Sequence, residues 1–166
     1  MEKLIWIKEI FGPKLEILLG NEKIGSIHWQ NMFSGKATAE FNGRFFYLKR
    51  EFFLSKLEIY DGKDQSLLAG VVVNLFNPRS EVILNGKRFE LEIKNFWQSR
   101  WSWKFDGRDV ITFTSNEFIT KDKGVIELYG TCKDELEILI LLGLFVRNQF
   151  VLIILFLLFL LILILW

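Results

Sequence analysis

Up to about residue 130 the chain alternates apolar and polar positions with a period of two, in short runs cut by turn dipeptides that favour positive φ. The clearest run is Arg88-Phe89-Glu90-Leu91-Glu92-Ile93-Lys94, which puts Phe89, Leu91 and Ile93 on one face and four charges on the other. Trp101, Trp103 and Phe105 repeat it. Tight hairpins are expected at Asn42-Gly43, Asp61-Gly62, Asn85-Gly86 and Asp106-Gly107, with a looser turn at Gly20-Asn21-Glu22. The runs between them predict strands near 4–10, 14–19, 23–29, 36–41, 44–50, 54–60, 66–73, 80–84, 87–94, 101–105, 108–115 and 125–130. This spacing is that of an all-β barrel or sandwich.

From Asp134 the pattern changes. Asp134-Glu135 caps and charges the start of a helix expected over about 134–147, apolar all round and therefore buried in a core or in lipid. Arg147-Asn148-Gln149 interrupts it, and Phe150 to Trp166 follows without a polar side chain, rising about 25 Å as a helix. One lipid-spanning helix over the whole stretch would place Arg147 and two amides inside hydrocarbon at a cost of a few kcal/mol, so two environments fit better. A closed antiparallel barrel of about twelve strands is too wide for its own side chains to fill, whereas a helix about 10 Å across fills it.

The expected architecture is therefore mainly β. Residues 1–149 form a closed barrel around a central apolar helix, and 150–166 form a transmembrane or membrane-inserted segment that includes Phe150, Val151, Phe156, Phe159 and Trp166. Arg147 is expected at the far rim of the barrel, at headgroup level, and Trp166 at the opposite interface.

The order of Leu57-Glu58-Ile59-Tyr60-Asp61-Gly62, Trp101-Ser102-Trp103-Lys104-Phe105, Gly124-Val125-Ile126-Glu127-Leu128-Tyr129-Gly130 and Asp134-Glu135-Leu136 resembles the tubby-like carboxy-terminal superfamily, which includes the phospholipid scramblase and LURP-one-related domains. The resemblance covers most of residues 4–149 and implies a twelve-stranded barrel around a hydrophobic carboxy-terminal helix. The Lys and Arg positions with which tubby proteins bind phosphoinositides are not matched here. Asp134-Glu135-Leu136-Glu137 also differs in spacing from the acidic calcium-binding segment of scramblases.

If consecutive strands alternate in direction, the loops sort onto two rims. The rim where the helix enters carries the short polar turns. The rim where it leaves carries Phe11, Met32-Phe33, Phe52-Phe53, Phe76 with Arg79, Phe96-Trp97 with Arg100, and Phe118 with Lys121 and Lys123. Aromatic rings beside cations suit a bilayer interface, so Arg79, Phe96, Trp97, Arg100, Lys121, Lys123 and Arg147 are the headgroup-level candidates. The competing reading folds the same aromatics inward to close the barrel.

Charge and composition narrow the function. Lys plus Arg number 21 and Asp plus Glu 20, so no basic excess points to nucleic acid. Lys8 and Glu9 break the amino-terminal apolar stretch that a secretory signal needs, and a lone Cys132 fits a reducing compartment, which places the β domain in the cytoplasm. His28 lies in a strand, where a structural role outweighs catalysis. Cys132 has no activating neighbour in sequence, and turn formation accounts for Asp106 beside Asp109. No catalytic residue, metal site or cofactor is expected, and the glycines form no phosphate-cradling loop. The expected role is that of a non-enzymatic barrel held to membrane lipid by a single-pass carboxy-terminal anchor, associating with lipid or serving as a scaffold. The rivals are a scramblase-like lipid handler and a soluble domain whose tail packs on a partner protein.

Overall fold

The computed structural model describes residues 2–31, 33–51, 56–73, 79–94, 99–117, 121–130 and 133–165. Twelve strands precede one helix: β1 (Glu2–Glu9), β2 (Lys14–Leu19), β3 (Glu22–Trp29), β4 (Lys36–Phe41), β5 (Arg44–Arg50), β6 (Lys56–Asp61), β7 (Leu67–Val72), β8 (Arg79–Leu84), β9 (Lys87–Ile93), β10 (Arg100–Phe105), β11 (Arg108–Glu117), β12 (Lys121–Leu128) and α1 (Lys133–Leu165). Every ladder is antiparallel, and the strands follow chain order, with β12 returning to pair along the full length of β1. The sheet's two edges are β7 and β8, which lie side by side but share no ladder among the described residues. The result is a nearly closed, mainly β barrel around α1.

Alternation builds the wall. In β9, Phe89 and Leu91 are fully buried while Arg88 and Glu90 face solvent. In β1, Leu4, Trp6 and Lys8 face inward. Three turns have positive φ at both central residues, as type I′ hairpins require: Asn42-Gly43, Asn85-Gly86 and Asp106-Gly107. Asp61-Gly62 departs from expectation. It opens a wider connection in which Gln65 donates to the Asp61 carbonyl and itself takes the positive φ. Gly62 is needed for close approach, because a Cβ there would lie 2.5 Å from the Phe45 carbonyl oxygen.

The strand starting at 125 is also corrected. β12 begins at Lys121, because Glu9, Lys8 and Ile7 of β1 supply pairing partners for Lys121, Asp122 and Lys123. Both lysines thus sit on an exposed strand face, and Asp122 between them points into the barrel.

α1 fills the interior, with Leu139 to Leu142 and Leu144 to Val146 almost without exposure. Trp103 donates from its indole Nε1 to the Leu139 carbonyl at 2.8 Å, and Trp29 stacks on Phe145 with ring centroids 6.2 Å apart. This close approach to β10 and β11 depends on Gly143, where a Cβ would fall 2.5 Å from the Phe113 ring. Gly143→Val is expected to lower stability by about 1–3 kcal/mol through overpacking, read as an earlier urea midpoint. An unchanged midpoint would mean that the helix shifts freely.

Candidate membrane-facing end of the barrel

The helix enters at the rim of the polar turns. Asn85 and Lys87 donate to Glu135 at 3.1 and 3.0 Å, and Arg44 pairs with Glu137 at 3.0 Å, so side chains of the two hairpins hold the first turn. The expected sorting of these turns onto the rim of helix entrance is therefore observed.

At the other end lies a layer of buried polar groups. Arg147 Nη2 meets Asp122 Oδ1 at 3.3 Å and Ser115 Oγ at 3.4 Å, and its guanidinium lies 5.6 Å from the Trp101 ring centroid. Lys8, the cross-strand neighbour of Asp122, donates to the carbonyls of Glu9 and Ile10 and lies 5.6 Å from the Trp29 ring centroid. Burial pushes the Lys8 ammonium below its usual range, and the Asp122 charge partly offsets this. Arg50, lowered by burial, donates to the Gln149 side chain and to the Phe33 carbonyl. These bonds link the rim loop after β3 to the helix.

Beyond that layer the helix continues without a break. Its 33 residues rise about 50 Å. The triplet Arg147-Asn148-Gln149 interrupts the apolar composition but not the helix, with Arg147 bonded to Asp122 and Ser115 and Gln149 to Arg50 in the barrel mouth. Three expectations are thereby corrected. Arg147 is 3% exposed, inside the barrel rather than emerging at its rim, while Phe150 and Val151 are buried in the barrel mouth. Residues 152–155 are half-buried, and Phe156 to Leu165 are exposed throughout. A helix long and apolar enough to cross a membrane is thus present, and its last ten described residues, 156–165, rise about 15 Å beyond the barrel.

Of the other candidates, Phe156 and Phe159 are exposed on this projecting part. Arg79 opens β8 opposite Glu92, and Arg100 opens β10, exposed and opposite Thr114. Phe96, Trp97 and Trp166, together with Met32, Phe52, Phe53, Phe76 and Phe118, fall outside the described residues. At the described part of this rim, Phe11 and Phe33 are each 70% exposed. Sequence reasoning missed Asp122 and Arg50 as partners of the helix, and Lys8 as part of the same buried layer. The parity of β1, which puts Lys8 on the same face as Leu4 and Trp6, was the available signal.

The remaining chemistry is structural. His28 is exposed on the outer wall between Lys14 and Thr38, and Cys132 is outside the described residues. Among the described residues no group of three or more His, Cys, Asp or Glu is placed to hold a metal. Burial pushes the Asp109 carboxyl up, but hydrogen bonds from Ser102 at 2.8 Å and Lys94 at 3.1 Å outweigh it and hold the group below the usual carboxylate range. Lys56 and Tyr60 hold Glu58 low in the same way. Because both folded values lie below the unfolded ones, the stability these groups add is present at neutral pH and is lost as pH falls below about 4. Asp109→Asn is expected to flatten that acid loss in urea melts, and an unchanged pH profile would remove Asp109 from the account.

Compared with protein-family models, with curated proteins and with solved structures, this chain matches none.

Proposed function

We propose that this protein is a non-enzymatic barrel held to the cytoplasmic face of a membrane by the projecting end of its own core helix, where it associates with lipid or serves as a scaffold. The observation that carries this reading is the run from Phe156 to Leu165, ten apolar residues each between 37% and 79% exposed. An exposed apolar surface of that extent needs a cover, and hydrocarbon covers a helix on every side. Phe11 and Phe33, flanking the emerging helix, suit the headgroup region. The roughly 15 Å of fully exposed helix reaches about half of a roughly 30 Å hydrocarbon core, so the aromatic rim settles into the interface rather than standing above it.

The resemblance to the tubby-like superfamily supports the same architecture, a barrel wrapped on a carboxy-terminal helix. Scramblase-like lipid transport needs a polar path beside the membrane segment, and residues 150–165 offer no polar side chain.

Flotation with lipid vesicles tests the reading. The full chain is expected to float with neutral and anionic vesicles alike. A chain ending at Val151 is expected to bind anionic vesicles only, through the rim, and to be released as ionic strength rises. A full chain that stays monomeric and soluble without detergent would overturn membrane attachment. Recovery in a stoichiometric protein complex would instead favour a partner protein as the cover, and lipid flipping by reconstituted protein would favour transport.

A further inference from the structure

We propose that a groove on the outer wall of the barrel, across β3 to β6, binds a small molecule carrying a planar ring and an anionic group. The ladders set four outward side chains in one row across these strands: His28 opposite Thr38, Thr38 opposite Tyr47, and Tyr47 opposite Tyr60. One step toward the rim where the helix leaves, Lys36 stands directly opposite Lys49. Gln65, from the positive-φ loop after β6, and Gln30, just past β3, also line the groove, whose volume of about 750 Å³ suits a small organic ligand.

The side chains divide the groove into two chemistries. Tyr47 is 43% exposed, and the Tyr60 hydroxyl is fixed by a 2.7 Å bond to Glu58, so two adjacent rings offer a flat platform. Lys36 and Lys49 supply like charges at directly opposed cross-strand positions, an arrangement that costs stability and that Glu58 offsets only on the Lys49 side. Neither forms an ion pair among the described residues. Glu58, the other cross-strand neighbour of Lys49, is engaged by Lys56 at 2.7 Å and by Tyr60, and none of the residues lining the groove is acidic. A peptide strand does not suit this place, because β3, β4, β5 and β6 are each laddered on both sides and offer no free backbone edge. What remains is a ligand read by side chains alone, its ring against the tyrosines and its carboxylate or phosphate between the lysines.

The test titrates the full chain, in lipid nanodiscs, with 2-naphthoate and 2-naphthyl phosphate. Inorganic phosphate serves as the anion without a ring, and 2-naphthol as the ring without the anion. Saturable binding of either anionic naphthyl compound is expected, and the tighter of the two identifies the acid group. Lys36→Gln with Lys49→Gln is expected to weaken it by about tenfold or more, and Tyr47→Ala by about fivefold, since charge-assisted bonds and ring stacking each contribute on that scale. These positions face solvent, so vesicle flotation should not move and melting should not fall, the double lysine variant melting at or slightly above the parent as the repulsion is removed. The proposal is overturned if neither naphthyl anion saturates, or if the double lysine variant binds as the parent does. It is equally overturned if inorganic phosphate binds as tightly as naphthyl phosphate, which would be a bare basic patch, or if 2-naphthol binds as tightly, which would be partition into lipid.

Discussion

Replacing Asp122 by asparagine is expected to destabilise the barrel by about 3–5 kcal/mol, because it leaves Arg147 buried without its carboxylate partner and takes from Lys8 the nearby negative charge that partly offsets its burial. Arg147→Met should cost less, since Lys8 then remains beside Asp122. A double variant should cost less than the sum of the two, with a coupling above about 0.5 kcal/mol in urea melts. The pH dependence adds an independent signature. Lys8 already has a folded pKa below its unfolded value, and without Asp122 that value falls further. In the window between the two values the unfolded chain binds more protons, so Asp122→Asn should regain stability as pH rises toward about 10. A loss under about 1 kcal/mol, or no recovery at high pH, would show that the layer is solvated rather than buried.

Leu158→Arg with Leu161→Arg is expected to abolish flotation with neutral vesicles and leave the barrel intact. Each arginine costs about 2.5–3.5 kcal/mol in a bilayer, so the pair should lower partitioning by about four orders of magnitude. The two positions are 48% and 52% exposed and lie beyond the last buried residue, Val151, so melting should match the parent. Flotation reads the first effect and thermal denaturation the second. If the variant still floats with neutral vesicles, attachment does not run through this helix.

The wall of the barrel was legible because its code is local. Period-two alternation and Asn-Gly or Asp-Gly turns set the expected strands within a few residues of those observed, as Phe89-Leu91-Ile93 in β9 illustrates. The helix as filler was legible from volume, since a ring of that many strands leaves room that only such an element occupies. Where the helix leaves the wall was not legible. Arg147 looks like a surface residue in sequence, and only the register of β12 against β1 brings Asp122 to it across 25 positions. The start of β12 at Lys121 was masked by charge: Lys121-Asp122-Lys123 reads as a loop until β1 supplies its partner. Of the apolar residues that predict a membrane-facing rim, Met32, Phe52, Phe53, Phe76, Phe96, Trp97 and Phe118 lie outside the described residues, and Phe11 and Phe33 stand exposed.

The absence of a ladder between β7 and β8 among the described residues bears on how such a molecule is assembled. A hoop sealed all the way round would have to be threaded by its own last segment, a slow and error-prone step. Here the staves are laddered in chain order from β1 to β7 and from β8 to β12, β12 docks on β1 after the other strands are made, and the core rod follows them. With one joint held by packing and a covalent connection rather than by backbone bonds, the staves can curl around the rod from the side and close behind it. The two edges then shelter each other from strands of other molecules.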